Sequence, residues 1–157
     1  MSLALVDDLA AALLSRGARM ATAESCTGGL IAGACTDIAG SSDWFERGFV
    51  SYSNQAKSEM LGADPALIAA HGAVSEAVAL AMARGAVQHS SAQCSLAVTG
   101  VAGPGGGSDA KPVGTVWFGW CVDGQADAEC LHFDGDRAAV RQATVEHALR
   151  GLLRRLG

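Results

Sequence analysis

The sequence predicts a three-layer α/β/α domain built on a mixed sheet, and three observations carry that expectation. Strand-like and helix-like stretches alternate over the first two thirds of the chain. Residues 94–99 (CSLAVT) are apolar without alternation, as in a strand covered on both faces. Two further strand-like stretches meet at Asp123-Gly124, a hairpin signal that adds antiparallel pairing. With 157 residues, half of them hydrophobic, the chain has enough material for one domain with a real core. No linker, low-complexity tract or fixed-period repeat divides it, so residues 1–157 are expected to form one unit.

The elements follow in order. Residues 3–16 place Leu3, Val6, Leu9, Ala10, Leu13 and Leu14 at helical spacing and stop before Gly17. Residues 18–24 read as a short strand. Residues 27–38 read as a helix of small residues suited to close packing on a sheet, at some cost in propensity. Residues 46–53 look extended, and NQAKSEML looks helical with Asn54 as its N-cap. Asp64-Pro65 starts another short helix with proline at its first position. Ser75-Glu76 opens a longer one to about His89. After strand 94–99 comes a glycine-rich loop, 100–112, then strands over 113–122 and 126–133. A last helix runs from about Asp136 to Leu156.

Charge and composition exclude several classes of function. The net charge of −5 and pI near 5.2 argue against a general nucleic-acid binder, which needs a basic face. They do not exclude a small anionic ligand, for which two or three local cations suffice. The five cysteines are odd in number and lack CxxC spacing, which fits reduced thiols in a cytoplasm. Asp7 and Asp8 interrupt the apolar start, which reads as an amphipathic helix and not a secretory leader. No run of 18 apolar residues predicts a membrane span. His71, His89, His132 and His147 are scattered without metal-ligand spacing, so no metal is expected.

Chemistry concentrates in a few stretches. In MATAESCTGG, Ser25 and Cys26 sit side by side between a strand end and a helix start. Open α/β sheets place ligand sites at such carboxyl ends, and a helix start offers N–H groups to an oxyanion or phosphate. The alternative is that Ser25 or Thr27 only caps the helix while Gly28 and Gly29 allow close packing. A serine nucleophile needs a base, and no histidine lies in a motif-like setting. A Ser-His-Asp triad is left without support, because triads are defined in space.

The lysines are more informative: Lys57 and Lys111 are the only two, against nine arginines. Lysine can act as a base when burial lowers its pKa, whereas arginine stays protonated. Either lysine is also compatible with an ordinary solvated surface. Tyr52, the only tyrosine, lies five residues before Lys57, where its phenol either reaches a polar cluster or is an ordinary half-buried aromatic. The loop TGVAGPGGG, residues 99–107, lacks the order of a Walker A phosphate loop. It either cradles a phosphate or flat ring through Thr99, Gly100, Gly103 and Gly105, or is a flexible connection. Arg137 and Arg141 share one helix face and meet either an anionic ligand or solvent.

Taken together, TAESCTGG (22–29), GSSDWFERGFVSYSNQAKSEMLG (40–62), HGAVSEAVALAMARGA (71–86), AVTGVAGPGGGSDAKPVGTVWFG (97–119) and GDRAAVRQATVEHAL (135–149) resemble the C-terminal domain of the CinA family, the competence/damage-inducible proteins. The matches run in family order over nearly the whole chain. The length resembles that of the stand-alone members, which are nicotinamide-nucleotide amidohydrolases, or NMN deamidases. The resemblance implies hydrolysis of the carboxamide of nicotinamide mononucleotide to nicotinate mononucleotide and ammonia, without metal or cofactor. It implies Ser25 as nucleophile, Lys57 as base and Tyr52 as a third polar partner. Glu24, Cys26, Thr27, Gly28 and Gly29 would form the substrate-binding turn, with the 99–105 loop, Arg137 and Arg141 on the nucleotide. A pyridine nucleotide is the implied partner, and a homo-oligomer the implied assembly. Two alternatives stay open: a nucleotide-binding regulatory domain without turnover, and a cysteine hydrolase using Cys26.

Overall fold

The computed structural model describes residues 3–157. Its elements, in chain order, are α1 (Leu3–Arg16), β1 (Met20–Glu24), α2 (Leu30–Thr36), a 3₁₀ turn (Ser41–Asp43), β2 (Phe45–Val50), α3 (Asn54–Leu61), α4 (Pro65–His71), α5 (Glu76–Gln88), β3 (Cys94–Gly100), β4 (Thr115–Val122), β5 (Gln125–His132) and α6 (Arg137–Leu156). The strands form one mixed sheet in the order β2-β1-β3-β4-β5. β1 pairs in parallel with both β2 and β3, while β3-β4 and β4-β5 are antiparallel. The three-layer expectation holds, and the β4-β5 hairpin turns at Asp123-Gly124, both with positive φ.

Strand alternation sorts the core into two layers. Met20, Leu96, Val98, Val116, Phe118 and Trp120 face α1, α2 and α6. Ala21, Ala23, Ala97 and Cys121 face the α3–α5 layer, meeting Leu61, Val78, Met82 and Ala83. Small residues set how close the layers come. A Cβ on Gly151 of α6 would lie 2.1 Å from Trp120 Cζ2, and one on Gly119 of β4 would lie 2.4 Å from the Ala79 carbonyl of α5.

Strand ends shift by a few residues, β2 stopping at Val50 and not at residue 53, and two helix starts also depart from expectation. The helix expected over 27–38 is only Leu30–Thr36, because Gly28 (φ 58°) and Gly29 (φ 106°) hold left-handed backbone that continues no helix. Ser53, not Asn54, caps α3, its hydroxyl accepting from Ala56 N at 3.0 Å. Asp64, Ser75 and Asp136 cap α4, α5 and α6 as their residue types suggest. The 3₁₀ turn at 41–43 had no sequence expectation.

Candidate active site

The parallel strands β1, β2 and β3 end on the same side of the sheet, and the chain leaves each through a loop there. At the end of β1, Ser25 N donates to Val98 O of β3 at 3.1 Å. After β2, Ser51 N donates to Glu24 O at 2.9 Å. These bonds fix the Ser25 turn between the two neighbouring strand ends. A cavity of about 300 Å³ opens there, bounded by Ser25 and Cys26, by Tyr52, Asn54 and Lys57, by Ala73-Val74, by the 99–106 loop, and by Arg137.

Lys57 is the central side chain. It lies one turn into α3 and is only 1 % exposed. Its Nζ donates to Ser25 Oγ at 3.1 Å and to the Tyr52 carbonyl at 3.0 Å. Burial lowers its pKa below the ordinary lysine value. No histidine bounds the cavity among the described residues. His147, the least exposed of the four histidines, is spent on Glu129 at 2.6 Å and on the ring of Phe118. The other lysine, Lys111, lies outside the cavity and donates to the His71 carbonyl at 2.9 Å.

Of the two neighbours of Ser25, Cys26 borders the cavity as expected, whereas Glu24 does not. Burial pushes the Cys26 thiol up to about 11, so it stays protonated near neutral pH and is a poor nucleophile. Glu24 is fully buried and does not face the cavity. Its carboxylate accepts from Thr27 Oγ1, from Ile31 N at 2.9 Å and from Ala32 N at 3.0 Å. The start of α2 is therefore satisfied by Glu24, so its N–H groups are not open to a ligand, and neither Ser25 nor Thr27 caps that helix.

Several other expectations change for the same tertiary reasons. Thr27, Gly28 and Gly29 shape the turn from behind and do not line the cavity. Arg141 is turned onto that turn, donating from Nε to Cys26 O at 3.1 Å and from an Nη to Thr27 O at 3.2 Å. It clamps the serine turn and is not presented to a ligand. Arg137 does border the cavity, with one Nη on Gly103 O at 2.8 Å and the other 3.5 Å from the Tyr52 hydroxyl. Tyr52 contributes in an unexpected way: its carbonyl holds Lys57, while its phenol is 59 % exposed at the mouth. Thr99, Gly100, Gly103 and Gly105 line the cavity as expected, with Thr99 Oγ1 tied to Ala73 O at 3.0 Å.

Sequence reasoning missed Asn54 and Ala73-Val74 as cavity residues. The polar run SYSN, three residues before Lys57, was the available signal for Asn54. For Ala73 and Val74 no local signal existed, since only the packing of α4 and α5 brings them there. No cluster of three metal-ligating side chains occurs among the described residues. No helix among them is long and apolar enough to cross a membrane.

Fold and cavity define the class: a three-layer α/β protein with a small-molecule site at the carboxyl ends of its parallel strands. The chain belongs to the CinA C-terminal domain family, whose sequence model matches residues 3–156. It is 51 % identical over 151 residues to the nicotinamide-nucleotide amidohydrolase PncC of Escherichia coli K12, covering 94 % of this chain and 90 % of that one. It is 55 % identical over 136 residues to the protein of the same name from Pseudomonas putida, covering 87 % of this chain and 85 % of that one. The solved structure of a competence-damaged protein (CinA) superfamily member from Klebsiella pneumoniae superposes with a TM-score of 0.94 at 39 % identity, covering 98 % and 96 % of the two chains.

Proposed function

We propose that this chain is a nicotinamide-nucleotide amidohydrolase, a single domain over residues 1–157 that uses a serine–lysine pair. The relatives' activity supports the reaction. The observation that carries the mechanism is the 3.1 Å contact between Ser25 Oγ and the buried Lys57 amine. A carboxamide is a poor electrophile, so attack needs an activated hydroxyl and donors for the oxyanion.

Neutral Lys57 takes the hydroxyl proton as Ser25 Oγ bonds to the carboxamide carbon. The N–H of Cys26, which borders the cavity, is the oxyanion donor that the turn leaves over, since Ser25 N and Gly28 N are spent on Val98 O and Ser25 O and Thr27 lies behind the cavity wall. Lys57 then passes the proton to the leaving nitrogen, the C–N bond breaks and ammonia departs. Water, deprotonated by Lys57, cleaves the remaining ester and restores the serine. Among the described residues Arg137 is the one cation at the cavity mouth, and it takes the nucleotide phosphate. The five free thiols support a reducing compartment, a cytoplasm. We assign the assembly as a homo-oligomer, which sedimentation velocity tests.

Ammonia release from nicotinamide mononucleotide, with a chelator present throughout, tests the reaction and the nucleophile together. The natural chain should release ammonia, and Ser25→Ala should lose at least about 10³-fold. Equal release by both would remove Ser25 as nucleophile. Binding without release by either would favour a regulatory domain.

A further inference from the structure

Among the described residues, Lys57 has dipoles around it but no counter-ion. From the turn after β1 it meets the Ser25 hydroxyl, with the protonated Cys26 thiol close by. From the segment after β2 it meets the Tyr52 carbonyl. Arg137 of α6 borders the same cavity and adds a second positive charge. The helices packed against α3, namely α4 and α5, put no carboxylate into the cavity, and among the described residues neither does any other element. The one carboxylate near the turn, Glu24, is committed to three donors on its far side. A site that holds two cationic side chains and no carboxylate is an odd place to seat a cationic ring, yet the carboxamide must lie at Ser25 Oγ.

Resting on the amidohydrolase reading, we propose that the cationic ring of the seated substrate drives the proton off Lys57. The positive ring and the ammonium cannot share the cavity, whereas the ring and the neutral amine can. Phosphate at the mouth, on Arg137, holds the ring in place against the repulsion. The base is thereby armed by the substrate it attacks. Without the ring, Lys57 holds its proton more readily, and the serine stays an ordinary alcohol. A neutral ring of the same shape binds without expelling the proton and leaves the pair idle. Ring and lysine separated by roughly 5 Å at an effective dielectric constant of about 20 give a downward shift on the order of two pH units. The same repulsion favours the second transfer, since a re-protonated Lys57 beside the ring readily gives its proton to the leaving nitrogen.

Proton release on binding tests this, measured by titration calorimetry in buffers of differing ionisation enthalpy over about pH 6 to 10, a window that spans the linkage. Ser25→Ala prevents turnover. Nicotinamide mononucleotide is compared with the C-nucleoside monophosphate whose neutral benzamide ring replaces the pyridinium. Both carry the same phosphate, so its contribution cancels in the difference. The expected result is a bell of proton release with the cationic ligand, absent with the neutral one, and abolished by a further Lys57→Met change. Equal release with both ligands across the window, or a difference that survives Lys57→Met, would overturn the proposal. Failure of both ligands to bind would instead overturn the amidohydrolase reading on which it rests.

Discussion

Burying a lysine amine disfavours its charged form, and that preference acts on folding as well as on catalysis. Because burial lowers the folded-state pKa of Lys57 from the ordinary 10.5, the unfolded chain binds more protons between the two values. Stability supplied by this position therefore rises with pH across that window and is lowest below it. Lys57→Met, close in shape and without charge, should melt higher than the natural chain at neutral pH. Its advantage should shrink as pH climbs toward 10.5. Thermal melts of the two proteins over that range check the sign, and a difference that stays constant with pH would contradict it. The same variant should lose about 10²–10⁴ in kcat, the usual worth of a general base. In the natural chain activity should fall on the acid side, as protonation removes the acceptor for the serine proton.

At the scale of elements, the glycine-rich loop is a cavity wall held from two ends. Arg137 grips it at Gly103, and Lys111 reaches from its far end to the carbonyl that closes α4. Lysine at a helix C-terminus also complements the helix dipole. Lys111→Ala should loosen that wall and raise KM a few-fold, about the worth of one partly exposed charged hydrogen bond, with kcat nearly unchanged. Lys111→Arg should restore KM, and steady-state kinetics on the three proteins reads the split.

The sequence made the strands and long helices legible, because periodicity, Pro65, the capping residues and the Asp123-Gly124 turn are local signals. Ser25 and Lys57 were legible as chemical types at a strand end and in a lysine-poor chain. What stayed hidden depends on contacts between distant segments. Residues 25–29 look like a helix start, but the carboxylate of Glu24, seven residues before Ile31, starts it instead. Arg137 and Arg141 are equivalent by spacing, and only the fold decides that one meets the cavity and the other the serine turn. The Tyr52 carbonyl, not its phenol, holds the base, and no side-chain pattern reports a carbonyl.

Across the whole molecule, α6 closes the structure on both the sheet and α1. Trp120 is fully buried, stacks on Phe118 at 5.7 Å, donates to Ala148 O at 2.9 Å and is covered by Arg155 at 3.7 Å. Gly151→Ala would thrust a methyl group into that indole. We expect a loss of about 1–3 kcal/mol from overpacking, seen as a lower Tm by roughly 2–12 °C. The site lies elsewhere in the sheet, so kcat/KM well below the melt should be unchanged, and calorimetry with initial rates separates the two effects.

The cavity draws its walls from residues as far apart as Ser25 and Arg137, and the helix bearing Arg137 follows every strand in chain order. Domains take shape as synthesis proceeds, at about 5–20 residues per second, and contacts between distant segments form last. A half-translated chain therefore shows the ribosome's surroundings a serine with no desolvated amine beside it. Reactivity is conferred only by completion of the sheet and its final helix, so translation that stalls early leaves a chemically inert fragment.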